Sequence, residues 1–336
     1  MSHDSRADQK RGLKDRYAAF REKIRGHFLV SRKHQQRIIE NVAAQFVPIN
    51  IHLVHLNSQI AHAISRIAVP DYLLALPGLA SMAKIAAKTP IDVADRKEVC
   101  FFVSHAPDPE LKPHVANHLR ALLDQRIAVV LIVNTEHSAE SFRIDDGLAR
   151  RLSGCLIREN VGFDFAAWSH AYALSRLPAD CARLYLINDS IVGPFDDAAY
   201  AKMLARIRAS SADLVGPTEN RCPEHHLQSY YLTINQRLLH SETFARFMRG
   251  VVNLPTKLEV IAHYETQITR YFCKQGFSFA ALYPLVQASD YLSDPTLHGW
   301  RELIEAGFPF VKTRILTELP PTQDVERWIP RNFLQR

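Results

Sequence analysis

The sequence lacks the marks of several protein classes. Its 336 residues contain five scattered cysteines and no C-x-x-C pair, which argues against a disulfide scaffold or a zinc knuckle. No stretch of 18 or more residues is free of charge and proline, so a membrane-spanning helix is not predicted. The start, MSHDSRADQKRG, has no apolar core. We therefore expect no secretory signal and a cytoplasmic location.

The motifs of several enzyme classes are also missing. There is no G-x-x-x-x-G-K-[ST] loop and no G-x-G-x-x-G after a strand, which disfavours Walker-type and dinucleotide-binding proteins. Neither a G-x-S-x-G elbow nor an H-E-x-x-H zinc motif occurs. A nucleotidyltransferase is a weak alternative because the expected glycine-rich loop and additional carboxylate pairs are absent.

The positive charge is confined to one end of the chain. Residues 1–40 hold eleven Lys or Arg against five Asp or Glu, while the remainder holds 30 of each, for a net charge of +6. Such a basic arm can contact an anionic membrane surface, or it is simply a solvated helix face. No nucleic-acid recognition motif accompanies it, so no nucleic-acid partner is expected.

The chain divides into two differently patterned parts. Tyr17, Phe20, Ile24 and Phe28 recur at helical spacing, and helical patterning continues to about residue 87. We predict a basic helical extension over 1–95, a second domain over 98–316 and a C-terminal tail over 317–336. An oligomerisation element is an alternative role for the extension.

From Val99 onward, short apolar runs alternate with helical segments. The runs cover residues 99–104, 127–134, 155–158, 184–188 and 213–216. This order predicts an α/β fold with a mostly parallel sheet covered by helices on both faces. Ligands of such sheets bind beyond the carboxyl ends of the strands. The polar candidates there are Ser104, His105, Asn134, Arg158, Asn160, Gly162, Asp164, Asp189 and Ser190.

Two aspartates among these candidates allow two interpretations each. Asp164 either contacts a ligand or caps the following helix. Asp189, in N-D-S, either binds a divalent cation that bridges phosphates or belongs to a polar turn.

Five segments, taken together, carry a family resemblance. They are RENVGFDFAAW (158–168), LYLINDSIVGPF (184–195), HLQSYYLTIN (226–235), HYETQITRYFCKQGFSFAALYP (263–284) and DPTLHGWRELIEAGFPFVKTRIL (294–316). In this order they resemble the rhamnan synthesis protein F family of bacterial cell-surface polysaccharide glycosyltransferases. The resemblance covers residues 98–316.

The resemblance implies a GT-A-like fold and a nucleotide-sugar donor. The expected reaction moves L-rhamnose or another deoxysugar from a donor such as dTDP-L-rhamnose to a cell-surface polysaccharide or lipid-linked glycan acceptor. The enzyme would work in the cytoplasm, with a peripheral position at the inner face of the membrane as a further expectation. The alternative is a non-catalytic nucleotide-sugar or glycan-binding component of an assembly complex.

The resemblance also assigns roles to individual residues. Glu265 stands at the acidic position of Y-E-T-Q-I-T-R-Y-F-C-K-Q-G-F, where inverting GT-A enzymes keep their general base. Asp189 takes the place of the D-x-D motif, which implies Mg²⁺ or Mn²⁺, or else direct contact with ribose or phosphate. His226, Gln228 and Tyr230 would flank the acceptor. Glu265 is alternatively a helix N-terminal carboxylate stabilised by the helix dipole.

Overall fold

A computed structural model describes residues 83–221, 224–284, 294–318 and 327–333. The helices predicted over residues 12–82, with the basic arm, lie outside the described residues. Within the described ranges, no helix combines the length and the apolar character needed to cross a membrane.

Twelve strands occur in the described part of the chain. They are β1 (Ile85–Thr89), β2 (Glu98–His105), β3 (Ala128–Asn134), β4 (Gly154–Arg158), β5 (Arg183–Asn188), β6 (Ile191–Val192), β7 (Leu214–Gly216), β8 (Glu219–Asn220), β9 (His226–Leu227), β10 (Tyr231–Asn235), β11 (Phe279–Ala281) and β12 (Val311–Lys312).

The helices of the same ranges connect and cover these strands. They are α1 (Pro113–Asp124), α2 (Asp146–Ala149), α3 (Phe163–Leu174), α4 (Asp197–Ala209), α5 (Gln236–Leu239), α6 (Glu242–Gly250), α7 (Lys257–Val260), α8 (Thr266–Lys274), α9 (Pro295–His298), α10 (Trp300–Glu305) and α11 (Thr313–Glu318). A π-helical turn, Ile261–Glu265, joins α7 to α8, and a 3₁₀ turn covers Arg331–Phe333.

The central sheet has eight strands in the order β1-β4-β3-β2-β5-β10-β7-β11. Strands β4, β3, β2 and β5 run parallel to one another. Strand β1 is antiparallel to β4, and β10 is antiparallel to β5 and β7, whereas β11 is parallel to β7. The predicted α/β fold with a mostly parallel sheet is therefore confirmed.

Alternate residues of the central strands build two cores, one on each face of the sheet. Phe101 of β2 packs on the face covered by α3, α6 and α8. Phe102, its neighbour, packs on the opposite face with α1 and α4. Because successive side chains of a strand point to opposite faces, a strand covered on both sides must be apolar throughout. This is why VCFFVS and AVVLIV are continuous apolar runs.

Residues on both sides of the predicted second domain, 98–316, contact elements within it. Residues 85–89 were predicted as the end of a helical extension, but they form β1, which pairs with β4. The short apolar stretch is ambiguous by periodicity, and pairing with a sheet edge decides it. The predicted tail over 317–336 also joins the body, since Ile329 is buried in a cluster with Trp300.

The order of the strands indicates where this sheet would bind a ligand. After β2, the chain adds β3 and β4 on one side and then returns to pair β5 on the other side of β2. The carboxyl ends of β2 and β5 thus flank the point where strand order reverses, and open α/β sheets bind ligands at such a point.

Candidate functional site

An open cleft of about 650 Å³ lies at the carboxyl ends of the parallel strands. Sequence-predicted residues that line it are His105, Asn134, Asn160, Asp164, Asp189, Ser190, Gln228, Tyr230 and Glu265. These residues come from six separate segments of the chain and surround one space. Asn160, Asp189 and Glu265 thus lie around a single cleft.

Asp189 sits at the reversal point, directly after β5. Its Oδ2 accepts hydrogen bonds from Ser104 Oγ at 2.9 Å and from the backbone N–H of His105 at 3.1 Å. Lys112 Nζ donates to the same oxygen at 2.9 Å. The carboxylate is thus held by the end of β2 and by the segment that precedes α1. These hydrogen bonds connect the carboxyl end of β5 to that of β2.

The donor set around Asp189 does not fit a divalent cation. Its Oδ2 already accepts from an ammonium, a hydroxyl and an amide, and its flanking residues, Asn188 and Ser190, bind each other. Mg²⁺ needs a near-octahedral set of oxygen ligands. In the described ranges, no group of three or more His, Cys, Asp or Glu side chains is placed to hold a metal ion.

Glu265 lines the same cleft as Asp189 and belongs to the π-helical turn. Ser229 Oγ donates a short hydrogen bond to its Oε2, and His226 Nε2 is 3.9 Å from Oε1. The helical run begins at Lys257 and passes through Glu265 without interruption. Glu265 is the N-cap residue of α8, but it has helical backbone angles and lies in a run continuous with α7. π-Helical turns inside α-helices are frequent at functional sites.

Asp164 is the second carboxylate on this side of the cleft. Burial, and then the neighbouring charge of Glu265, raises the pKa of Asp164 to about 6. Asn188 Nδ2 donates to its Oδ2 at 2.7 Å, which favours the ionised form. Gly162, not Asp164, is the N-cap of α3, so the interpretation of Asp164 as the cap is wrong. Asp164 is instead a carboxyl group poised near neutral pH.

Arg158 is buried behind the cleft wall and is 1% exposed. Its guanidinium donates to Asn134 Oδ1 at 3.0 Å, to His170 Nδ1 at 2.9 Å and to the carbonyl of Val161 at 2.6 Å. Burial lowers the pKa of Arg158 to about 10. Arg158 does not line the cleft, and its contacts fix the loop that carries Asn160.

Gly162 likewise determines the conformation of that loop and does not line the cleft. Its φ is +70°, which favours glycine. A Cβ there would lie 2.7 Å from both Ala166 Cβ and Asn253 Cα. Close packing against Asn253 therefore requires glycine at this position.

Two of the three predicted acceptor residues line the cleft. Gln228 Nε2 donates to Asp294 Oδ1 at 2.9 Å, and the Tyr230 hydroxyl lies 2.7 Å from Thr218 Oγ1. His226 is buried behind Glu265 and does not line the cleft. Ser104 is likewise fully buried, beneath Asp189.

Several residues that line the cleft or bind its lining residues were not singled out from the sequence. They include Lys112, Ser229, Lys257, Asp294, Lys312 and Arg314. Lys112 and Asp294 precede helices, outside the apolar runs that directed attention to strand ends. Lys312 carried a usable signal, because it is the only lysine after Lys274 and directly follows the apolar segment FPFV.

The sequence of the chain matches one protein-family model. Residues 129–334 match the family model described as rhamnan synthesis protein F. The match begins and ends later than the predicted 98–316. It includes β3 to β5 and Glu265, and it extends through the 3₁₀ turn near the C-terminus.

Two curated relatives are about one quarter identical to this chain over part of its length. Virulence protein VirA of Vibrio anguillarum is 24% identical over 209 residues, which cover 53% of this chain and 66% of that protein. An uncharacterized protein of Sinorhizobium fredii, y4gN, is 26% identical over 249 residues, covering 69% of this chain and 62% of its own length. The chain spans just under two thirds of each relative.

Proposed function

Since this chain belongs to the rhamnan synthesis protein F family, we propose that it takes part in polysaccharide biosynthesis as a glycosyltransferase. The donor is a nucleoside-diphosphate sugar, with L-rhamnose or another deoxysugar as the sugar transferred. The acceptor is a cell-surface polysaccharide or a lipid-linked glycan. The observation that carries the proposal is the convergence of Asp189, Asn160 and Glu265 on one cleft at the strand-reversal point.

The donor lies over the carboxyl ends of β2, β3 and β5. Asn134, Asn160 and His105 line that end of the cleft and supply polar contacts to the nucleoside. The diphosphate lies toward Asn188 and Ser190. In this placement the anomeric carbon of the sugar faces Glu265, and the remaining space beside Gln228 and Tyr230 receives the acceptor.

Glu265 serves as general base in a single displacement. The acceptor hydroxyl oxygen attacks the anomeric carbon, and its proton passes to the Glu265 carboxylate. The bond between that carbon and the diphosphate oxygen breaks, and the nucleoside diphosphate leaves with the electron pair. Ser229 donates to Oε2 of Glu265, which orients the carboxylate and leaves Oε1 as the proton acceptor.

A nucleotide-sugar assay tests the activity. Purified protein is incubated with a panel of nucleotide sugars and a synthetic lipid-linked acceptor, and release of nucleoside diphosphate is followed. We expect acceptor-dependent release with a dTDP-linked deoxysugar. No release above hydrolysis with any donor and acceptor would contradict a transferase.

A non-catalytic binding component is the second candidate. One observation favours it: Oδ2 of Asp189 is already filled by three donors, and its neighbours in N-D-S are neutral. Saturable donor binding without acceptor-dependent turnover distinguishes this candidate from the enzyme.

The basic arm gives a separate proposal about location. Residues 1–40 carry the whole excess of positive charge, and we propose that they hold the protein against anionic lipid at the cytoplasmic face. Liposome flotation with and without these residues tests it. Undiminished binding to anionic vesicles after their removal would contradict an electrostatic role.

A further inference from the structure

Three cationic side chains, Lys257, Lys312 and Arg314, line the cleft together with its carboxylates. Lys312 lines the cleft together with Asp164, Asp189, Glu265 and Asp294. No carboxylate oxygen of the described residues lies within ion-pair distance of its Nζ. Asp189 is paired with Lys112 instead. Lys312 is therefore a cation of the site whose direct contacts are all neutral.

Those contacts fix the ammonium next to the end of β5. Nζ lies 3.4 Å from Ser190 Oγ and 4.3 Å from the centre of the Tyr230 ring. The backbone places it there, because β12 pairs with β6 and brings Lys312 opposite Ile191. Thr313 N–H also donates to the carbonyl of Ser190 at 2.9 Å.

A hydrogen-bonded chain links the ammonium to the acid side of the cleft. Lys312 donates to Ser190 Oγ, and Ser190 Oγ donates to Asn188 Oδ1 at 2.6 Å. Asn188 in turn donates to Asp164 at 2.7 Å. The two neutral residues that flank Asp189 thus connect the Lys312 ammonium to the Asp164 carboxylate through hydrogen bonds.

Lys312 is a partly buried cation that forms no ion pair with the described residues. Burial lowers the pKa of Lys312, in spite of opposing effects from Asp294 and Glu265. An ammonium has three donors, of which one goes to Ser190 and the Tyr230 ring supplies only a face. Removing such a group from water is costly unless an anion compensates it.

We propose that Lys312 is the counter-ion of the donor's diphosphate, and that this site binds nucleoside diphosphates without a divalent cation. The inference rests on the proposed function, since it assigns the diphosphate to the Ser190 end of the cleft. As the bond to the anomeric carbon breaks, negative charge grows on the diphosphate oxygen. A fixed ammonium there stabilises that charge as a metal ion does elsewhere.

Direct binding tests this without turnover. Isothermal titration with dTDP and dTMP is run on the full chain in excess chelator, in Mg²⁺ and in Mn²⁺. We expect the same dTDP affinity in all three conditions. In Lys312→Met, dTDP binding falls on the order of 10- to 100-fold, as for a lost charged hydrogen bond. Binding of dTMP, which lacks the second phosphate, falls much less.

Matched variants separate charge from packing. Lys312→Arg keeps the cation and is expected to retain dTDP binding better than Lys312→Met. Lys202→Met removes an exposed lysine of α4 that does not line the cleft, and it should leave both affinities unchanged. Melting curves confirm that each variant is folded.

The outcomes separate the inference from the activity. A dTDP affinity that requires Mg²⁺ or Mn²⁺, or that is unchanged in Lys312→Met, overturns the inference even if sugar transfer is observed. Chelator-resistant binding that is lost in Lys312→Met supports it even if no donor is turned over. If dTDP does not bind the wild-type chain at all, the inference is wrong.

Discussion

Oδ2 of Asp189 and Nζ of Lys112 lie 2.9 Å apart, although the two residues are separated by 77 positions. Ser104 and the amide of His105 donate to the same oxygen. One carboxylate oxygen therefore joins β5, β2 and the segment before α1. Asp189, the acidic residue of N-D-S, therefore forms an ion pair with Lys112 inside the protein. Its negative charge is compensated before any ligand binds.

The first prediction concerns this ion pair. The side chains of Lys112 and Asp189 are 33% and 17% exposed, so their coupling should exceed that of a surface pair. We expect about 1–2 kcal/mol in a double-mutant cycle of Lys112→Met and Asp189→Asn, measured by urea unfolding. Arg143 and Glu110, 73% and 64% exposed, form the control pair, with coupling of about 0–0.5 kcal/mol. Equal coupling in both cycles would contradict the structural role.

The second prediction concerns the general base. Glu265→Gln keeps an oxygen that accepts from Ser229 but removes the group that takes the proton. We expect the rate of acceptor-dependent nucleoside diphosphate release to fall by about 10²- to 10⁴-fold. Affinity for dTDP should not fall, because the substitution removes a negative charge that acts on Lys312 and leaves the groups assigned to the diphosphate in place.

Ser229→Ala is the matched control for Glu265→Gln. It removes the hydrogen bond to Oε2 but leaves the carboxylate, so a smaller loss of rate is expected. Transfer in Glu265→Gln within tenfold of the wild-type rate would exclude Glu265 as the base and would direct attention to Asp164.

The strand-end part of the site could be predicted from the sequence for a geometric reason. Parallel strands end at the same edge, so polar residues after LYLI and after AVVLIV had to meet there. This argument correctly brought Asp189 and Asn134 together. It could not tell which side chains turn into the cleft, and Arg158 and Ser104 turn into the protein instead.

The far wall of the cleft could not be predicted in this way. Lys312 reaches the site because a two-residue strand pairs with β6, 120 residues earlier in the chain. Such a short pairing has no periodic signal. Strand β1 was missed for a related reason, since five residues at a sheet edge do not distinguish a strand from a helix.

The third prediction concerns pH and Asp164. The pKa of Asp164 is raised to about 6 from 3.8, so the folded state binds the proton more tightly than the unfolded state. Asp164 therefore lowers the free energy of unfolding as pH rises from about 4 to about 6, and the full cost remains above that range. Asp164→Asn removes this cost.

We expect Asp164→Asn to raise the free energy of unfolding by about 1–2 kcal/mol at pH 7.5, with no gain near pH 3.5. Chemical unfolding at the two pH values measures the difference. Asp95→Asn, at an exposed position, is the control, with an expected change within about 0.5 kcal/mol. A gain that is equal at both pH values would show that burial of the charge is not its cause.

The fourth prediction concerns the loop that carries Asn160. Gly162 and Gly276 both have positive φ, +70° and +82°, so alanine at either position costs about 1–2 kcal/mol in backbone strain. Around Gly276 an added Cβ meets nothing within 4 Å, whereas at Gly162 it would lie 2.7 Å from the Asn253 backbone. The two variants are therefore expected to have similar backbone strain. They differ in the steric contacts around the added methyl group.

Gly162→Ala should therefore destabilise the fold by about 2 kcal/mol more than Gly276→Ala, which is the cost of forcing an extra group into a packed site. The backbone must move to admit the methyl group, and the carbonyl of Val161 is tied to Arg158. That movement displaces Asn160 at the cleft, so dTDP binding should weaken in Gly162→Ala and stay unchanged in Gly276→Ala. Equal destabilisation by both variants would mean that the segment around Asn253 moves to admit the methyl group with no further loss of stability. In that case the loop would not be held rigidly enough to position a nucleotide.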